Sequence, residues 1–316
     1  MSSLPFTGER FTPECLREMW YEHYHRYAFV RAMVAGRRVA DVACGEGYGA
    51  MLLAKTAASV HGLDISAEAI EHARTRYAAQ TNLQFEQGDA CKLPWADQSL
   101  DVVTSFETLE HLHDQESLIA GFARVLRDDG VLVISSPDKR TYSDLRGFQN
   151  EFHVRELYRD ELLTLLGRHF GQVRLYGQKL LFQSAIWREQ WIPTPTCIAS
   201  VHTAARDASS ISDHADYAPM YYIAVCTQNA QALPELAEID LFGDADETVY
   251  RHYEHEIRKN MQAGAVLQQA DSDLKVEKQA HENTRAALAD AEARLQQIKS
   301  CPQPRPWWRR WSAGSE

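Results

Sequence analysis

The sequence predicts a doubly wound α/β fold, in which helices cover both faces of a mostly parallel sheet. Two observations support this prediction. Short apolar runs typical of strands alternate with amphipathic segments typical of helices, and this alternation forms parallel sheets with crossover helices. A glycine-rich loop, "CGEGYG", directly follows the first apolar run, as is typical where a strand leads into a helix beside a ligand.

The predicted elements follow in order along the chain. Five runs indicate strands: "RVADVAC", "SVHGLDI", "LQFEQGDA", "LDVVTSF" and "GVLVISSP". Two helices, "SAEAIEHARTRYAAQ" and "QESLIAGFARVLRDDG", lie between them, with Ser66 as an N-cap and Gly130 as a helix stop. Another helix is predicted to begin near Val154. Two later runs, "GQVRLYGQKL" and "MYYIAVCTQ", are predicted to pair and close the sheet with an antiparallel last strand.

Changes in composition divide the chain into segments. We expect a globular domain over residues 1–235, a linker over 236–249, a coiled-coil helix over 250–299 and a tail over 300–316. The domain contains a long insertion at about 181–219, which carries Trp187 and Trp191. Long loops in compact domains are often functional, so the insertion is interpreted either as a substrate-side lid or as a decorative loop.

A heptad pattern supports the coiled-coil prediction. Apolar residues recur every seventh position, and a second set lies three positions further on, although polar residues interrupt the middle of the seam. Self-association is expected, with a solitary solvated helix as the alternative. The first set is Leu267, Leu274, His281, Leu288 and Leu295, and the second includes Ala263, Ala270, Ala291 and Ile298.

The tail "PRPWWRRWSAGSE" combines tryptophan with arginine. Tryptophan prefers the headgroup level of a membrane, and arginine pairs with anionic lipid. The same residue types dominate protein hot spots. The tail therefore predicts docking either at the inner face of the cytoplasmic membrane or on a partner protein.

Composition excludes several classes of protein. The net charge of −11 argues against a nucleic-acid partner, whose binding surface would be basic. The six cysteines form no CxxC pair, so neither a zinc site nor a disulfide framework is expected. His23 and His25 lie two positions apart, which separates them on a helix, and no metal ligands are predicted. Without a signal sequence or a membrane span, a cytoplasmic protein is expected.

The glycine loop limits the kind of ligand. Its spacing is G-x-G-x-G rather than the dinucleotide fingerprint G-x-G-x-x-G. Asp41 and Glu46 lie in or beside the loop and would repel an anion. A cationic or zwitterionic ligand is therefore favoured over a phosphate, with a nicotinamide-dependent oxidoreductase as the competing hypothesis.

Further residues follow the next three strands. Asp64 lies about twenty residues beyond the loop, where a carboxylate can accept from both ribose hydroxyls. Asp89 follows the third strand and Phe106 the fourth. Because ligands of open parallel sheets bind at the carboxyl ends of the strands, these residues are predicted to line one crevice. This ordered set resembles the class I S-adenosylmethionine-dependent methyltransferases.

The resemblance implies a Rossmann-like sheet, S-adenosylmethionine as cofactor, and a role for each matching residue. Gly45 and Gly47 would approach the methionine part, and Ala43 stands where the family usually has a glycine. Asp64 would bind the ribose, and Asp89 with Ala90 would face the adenine amine. On the methionine part, Glu107 is a further candidate and Arg26 would pair with the carboxylate. The full set of expected cofactor residues is Arg26, Ala43, Cys44, Gly45, Gly47, Asp64, Ile65, Asp89, Ala90, Phe106 and Glu107.

A narrower resemblance concerns the acceptor. "FTGERFTPE", "EHYHRY", "GEGYGAMLLA", "SFETLEHL" and "NEFHVREL" are similar to methyltransferases encoded in bacterial O-antigen and polysaccharide gene clusters. This implies a glycan acceptor, methylated on a sugar hydroxyl. Methylation of a glycan phosphate or of another small molecule is the alternative, and a non-catalytic coiled-coil scaffold is the alternative from another class.

Two histidines are the candidate catalytic residues. His111 follows the fourth strand, where a general base could take a proton from a hydroxyl acceptor. The alternative is a histidine at a helix start that bonds only to backbone. His153, with Asn150, follows the fifth strand and is expected at the same edge of the sheet. The alternative for this pair is a capping loop.

Overall fold

A computed structural model describes residues 18–184, 201–204, 210–215 and 217–300. The elements, in chain order, are α1 (Glu18–Val30), β1 (Arg38–Val42), α2 (Tyr48–Ala54), β2 (Ser59–Asp64), α3 (Ala67–Arg76), β3 (Leu83–Gln87), β4 (Leu100–Ser105), α4 (Gln115–Val125), β5 (Leu126–Pro137), α5 (Arg159–Gly167), β6 (Gln172–Gln178), β7 (Thr203–Ala204), β8 (Ile211–Ser212), β9 (Tyr221–Thr227) and α6 (Thr248–Ser300).

Seven strands form one mixed sheet in the order β3-β2-β1-β4-β5-β9-β6. The pairs β1/β2, β2/β3, β1/β4 and β4/β5 are parallel, whereas β9 runs antiparallel to both β5 and β6. The predicted doubly wound sheet with an antiparallel last strand is therefore confirmed. The strand order reverses at β1, which places the crevice of such a fold at the carboxyl ends of β1 and β4.

Successive residues of the central strands pack on opposite faces of the sheet, which explains why helices cover both faces of the sheet. Val39 packs into one hydrophobic cluster with residues of α1, α2 and α3, and its neighbour Ala40 packs into a second cluster with residues of α4 and α5. Val102 and Val103 of β4 divide between the clusters in the same way. A strand buried on both faces needs apolar residues on both, as Val39 and Ala40 provide in β1 and Val102 and Val103 in β4.

Helix boundaries confirm one prediction and correct two. Ser66 caps α3, because its hydroxyl accepts from the Ala69 amide at 3.3 Å. Gly130 does not stop α4, which ends at Val125. It lies within β5, where the register against β4 shifts, and a Cβ at Gly130 would lie 2.9 Å from the Arg127 carbonyl oxygen. The helix expected from Val154 begins at Arg159.

The chain divides into two compact units, Met1–Asp246 and Glu247–Glu316. In the second unit, α6 is a helix of 53 residues, as the heptad pattern predicts, and the leucines of its seam are exposed. Within the expected insertion the structure describes the short pair β7/β8, whereas Trp187 and Trp191 lie outside the described residues. The Trp/Arg-rich tail also lies outside them. Among the described residues, no helix has the length and apolar character needed to cross a bilayer.

Candidate active site

The loop between β1 and α2 adopts an unusual backbone. Ala43, Gly45 and Gly47 all have positive φ, of 61°, 55° and 85°. Glycine is favoured at such positions, and an L-residue there costs on the order of 1–2 kcal/mol. Gly47 is also fixed by packing, because a Cβ at this position would lie 2.5 Å from the Phe85 ring. The left-handed residues thus alternate along the loop at the end of β1.

Two acids near the loop are shielded by their surroundings. Asp41 is buried and accepts from the Thr104 hydroxyl at 2.7 Å and the Tyr27 hydroxyl at 3.1 Å. Burial raises the pKa of Asp41 to about 7. Glu46 is 1% exposed, and its Oε2 pairs with Arg76 at 2.9 Å. The charge of Glu46 is thus balanced within the protein, which weakens the expectation that it repels an anionic ligand.

Asp64 joins the end of β2 to the glycine loop. Its Oδ2 accepts from the Gly45 amide at 2.8 Å, and its Oδ1 accepts from the Ser66 amide at 2.9 Å. Each carboxylate oxygen keeps a second lone pair. The next residue, Ile65, is 73% exposed at the same end of the strand. The orientation of Asp64 is therefore set by backbone, as a ribose-binding carboxylate requires.

The other nucleoside-side candidates lie after neighbouring strands. Asp89 is partly exposed, and its Oδ1 accepts from the Cys91 amide at 2.9 Å. Ala90 is partly buried, whereas Cys44 is buried and burial raises the pKa of its thiol. Phe106 follows β4 and packs edge-on against Tyr27, with ring centroids 5.0 Å apart.

Arg26 of α1 extends to the end of β4, where it meets Glu107. Its Nη2 lies 3.4 Å from Glu107 Oε1, and its Nε donates to Gln178 Oε1 at 2.8 Å. Burial lowers the pKa of Arg26, but Glu107 and other neighbours more than compensate, so the pKa is raised above its usual value. Nη1 and Nη2 are buried without a hydrogen-bond partner. Buried donors without a hydrogen-bond partner are suited to the carboxylate of an amino-acid ligand, the role that the sequence predicts for Arg26.

Glu107 has a strained backbone, with φ of 51°. Its amide donates to the Ser135 hydroxyl at 3.1 Å, and this hydroxyl lies 2.6 Å from Glu107 Oε1, to which it donates. A strained backbone conformation persists only where the surrounding contacts hold it in place, and such conformations are often found at functional sites. Ser135 of β5 therefore fixes both the backbone and the carboxylate of Glu107.

The two histidines predicted from sequence lie together. Their ring centroids are 5.0 Å apart and their planes are nearly perpendicular, at 86°. His111 Nδ1 lies 3.0 Å from the Phe152 carbonyl oxygen, and because a carbonyl only accepts, Nδ1 carries the proton. His153 Nδ1 lies 2.6 Å from Glu156 Oε1, and its Nε2 lies 3.0 Å from Asn150 Nδ2.

Sequence reasoning missed two acids. Glu110 is 1% exposed and neither of its carboxylate oxygens has a hydrogen-bond partner. Burial, together with the charge of Glu107, holds its pKa well above the usual range. Burial also raises the pKa of Glu22, on α1, to about 7. The adjacency of Glu110 to His111 was the available signal, but the burial of Glu110 depends on the tertiary packing.

Comparison with known proteins places these residues in a family context. Residues 40–134, from β1 into β5, match the family model described as "Methyltransferase domain". This segment of the chain is therefore similar to methyltransferase domains. The matched segment includes the glycine loop, Asp64, Asp89, Glu107 and His111, whereas Arg26 and His153 lie outside it.

Two curated relatives with a similar sequence are described as S-adenosylmethionine-dependent methyltransferases. The chain is 40% identical over 168 residues to a Mycolicibacterium smegmatis protein described as a "probable S-adenosylmethionine-dependent methyltransferase", covering 52% of this chain and 64% of that protein. A Mycobacterium tuberculosis protein of the same description is 39% identical over 166 residues, covering 52% of this chain and 60% of the relative.

A second Mycolicibacterium smegmatis relative, "fatty-acid O-methyltransferase", is 38% identical over 120 residues, covering 37% of this chain and 43% of the relative. The chain thus spans less than two thirds of the length of each of these three relatives. S-adenosylmethionine, named in the descriptions of the first two relatives, is also the cofactor that the sequence of this chain predicts.

Proposed function

We propose that the protein transfers a methyl group from S-adenosylmethionine to a hydroxyl group of a bacterial surface glycan. The observation that carries the methyl-transfer part is the pair of buried Nη atoms of Arg26 that lack a hydrogen-bond partner, together with the Asp64 carboxylate held by the glycine loop. An amino-acid carboxylate and a ribose are the two groups that these residues are suited to bind.

The residues present define a binding arrangement. Arg26 would hold the methionine carboxylate, Asp64 the ribose hydroxyls, and Asp89 with Ala90 the adenine. When bound, S-adenosylmethionine supplies an electrophilic methyl group on a sulfonium. The protein mainly has to align the acceptor with this group and exclude water.

Three features support oxygen as the acceptor. His111 donates from Nδ1 to Phe152, so a neutral His111 carries at Nε2 the lone pair that a proton acceptor needs. The carboxyl groups of Glu110 and Glu156 lie on this side and offer no cation that would position a phosphate. The Mycolicibacterium smegmatis relative named as an O-methyltransferase agrees with an oxygen acceptor. Support for a glycan comes from the resemblance to polysaccharide-cluster methyltransferases.

We also propose that α6 associates with a second copy of this chain. Leu267, Leu274, Leu288 and Leu295 recur every seventh residue and are 48–70% exposed. An apolar seam with this period is typical of a coiled coil. Self-association would then gather several tails, whose individually weak contacts with membrane lipid or a glycosyltransferase would gain avidity. A cytoplasmic location agrees with such a role.

Mass spectrometry of the surface polysaccharide from a deletion strain tests the acceptor. We expect one methyl ether to be lost and to return when the purified protein is given S-adenosylmethionine and the mutant glycan. An unchanged methyl pattern would exclude the glycan acceptor. A chain that does not bind S-adenosylmethionine by calorimetry would exclude methyl transfer and favour the scaffold alternative.

His111→Ala separates chemistry from cofactor binding. We expect turnover to fall about a hundredfold, the usual size of a general acid or base contribution, with cofactor affinity nearly unchanged. Equal losses in both would mean that His111 shapes the pocket instead.

A further inference from the structure

Three side chains on the acceptor side of the site converge. Glu110, His111 and His153 each direct one potential ligand atom inward, and these atoms all lie within 4.8 Å of one another. We infer that Glu110, His111 and His153 bind a divalent transition-metal ion. The ion's position beside the acceptor rests on the proposed function, whereas the binding site itself does not.

Both histidines are oriented as metal ligands usually are. The Nδ1 of His111 donates to the Phe152 carbonyl at 3.0 Å, and the Nδ1 of His153 donates to Glu156 at 2.6 Å. Ligating histidines typically donate their other ring N–H to a carbonyl or a carboxylate, which leaves the opposite nitrogen for the metal. The Nε2 lone pair of His153 accepts from the Asn150 amide at 3.0 Å. A bound ion would replace this hydrogen bond.

Glu110 supplies the second, independent observation. Its carboxylate is 1% exposed, and both oxygens lack a hydrogen-bond partner although Oε1 lies 3.9 Å from His111 Nε2. A buried carboxylate without a partner is costly. Glu107 and Glu156 add further negative charge, which Arg26 only partly offsets. A cation bound between Glu110 and the two imidazoles would compensate this charge.

The ligand set indicates the class of metal. Two imidazole nitrogens and one carboxylate favour Zn²⁺, Co²⁺ or Fe²⁺ over Ca²⁺, which prefers six to eight oxygens. Three protein ligands leave a coordination position open. A hydroxyl bound there would have a lowered pKa, and its proton would pass to solvent water. With its Nε2 bound to the ion, His111 would not itself take the proton. The ion would replace the general-base role proposed for His111, and the rest of the proposed function would stand.

Cobalt titration of the chelator-treated full chain tests the site without cofactor or acceptor. We expect one equivalent of Co²⁺ to give ligand-field absorption, displaceable by Zn²⁺. Glu110→Gln and His153→Ala should weaken binding by at least tenfold. Glu156→Gln keeps the side-chain volume and an acceptor for His153 but removes the negative charge behind the imidazole, and it should weaken binding by about tenfold.

His169→Ala is the matched control. His169 Nε2 lies 2.6 Å from Glu116 Oε1, an imidazole–carboxylate pair like that of His153, but it does not belong to the three-residue cluster found among the described residues. This variant should bind Co²⁺ like the wild type. The site would be overturned by the absence of stoichiometric Co²⁺ binding, or by equal loss in His169→Ala. If Glu110→Gln does not fold, the Glu156→Gln comparison decides.

The two proposals fail in different ways. Stoichiometric Co²⁺ binding without methyl transfer would keep the metal site and remove the proposed function. Methyl transfer that persists in metal-free protein, with no Co²⁺ bound, would keep the function and remove the site.

Discussion

Arg26 Nη2 and Glu107 Oε1 lie 3.4 Å apart in the protein interior, joining the first helix to the end of β4. The ion pair does not satisfy the guanidinium, because the Nη atoms have no hydrogen-bond partner, and the Glu107 backbone is strained. A guanidinium can bind a carboxylate through two parallel hydrogen bonds.

Arg26→Lys should weaken binding of S-adenosylmethionine, because a lysine cannot make the bidentate contact of a guanidinium. We expect a loss of about tenfold or more, equivalent to roughly 1.4 kcal/mol. Calorimetry with 5′-methylthioadenosine is the control, since it has the same nucleoside and no carboxylate. A similar loss for both ligands would show that Arg26 does not contact the carboxylate.

Asp64→Ala should reduce S-adenosylmethionine affinity by on the order of ten- to a hundredfold, because charge-assisted bonds to the ribose disappear. The structure adds a second effect. Since Asp64 also accepts from the Gly45 and Ser66 amides, the melting temperature should fall as well. An unchanged affinity in calorimetry would refute this placement of the ribose.

Ala43→Gly should stabilise the fold. The left-handed φ of 61° costs an alanine about 1–2 kcal/mol, which a glycine would not pay. The greater conformational entropy of glycine in the unfolded chain offsets roughly 0.4–1 kcal/mol of this gain. Urea unfolding should therefore show a gain of up to about 1 kcal/mol. Ala43→Val, with a β-branched side chain at the same φ, should destabilise. If Ala43→Gly lowered the free energy of unfolding, the backbone at Ala43 would not be the source of strain in the loop.

Asp41 should make stability depend on pH. Its pKa in the folded protein is about 7, above the ordinary value of 3.8, so between these values the folded state holds a proton that the unfolded state has lost. The contribution of Asp41 is therefore fully present below pH 4 and is lost as pH rises through 7. Asp41→Asn removes this titration while keeping an acceptor for Thr104.

The comparison of wild type with Asp41→Asn from pH 5 to 8 measures this effect. We expect the free energy of unfolding of the wild type to fall relative to the variant by on the order of 1–3 kcal/mol. Parallel curves would show that Asp41 stays ionised throughout this range.

Leu274→Asp should disrupt self-association through α6, because it places a charge in the apolar seam. Sedimentation should show a smaller species, with S-adenosylmethionine binding retained. Val276→Asp is the control, since Val276 is 69% exposed but lies off the seam. If the wild type is monomeric, or if both variants behave alike, the seam is not an interface.

The local sequence pattern alone determined several elements of the fold. Strand runs such as "LDVVTSF", the Ser66 cap, the glycine loop and the long helix α6 depend on residues close in sequence, so periodicity and turn chemistry predict them. The order of acids after successive strands also predicted one crevice, because parallel strands end at the same edge. Gly130 was misplaced, because its need for glycine comes from close packing in β5 rather than from a helix end.

Tertiary structure alone decided how charges are compensated. Nothing local shows that Glu46 pairs with Arg76, that Arg26 reaches Glu107, or that Glu110 is buried without a partner. His111 and His153 meet because the loop after β5 returns over the end of β4. Burial and electrostatic interaction depend on distance in space, and distant parts of the chain supply the partners, so a charged residue's role appears only once the fold has formed.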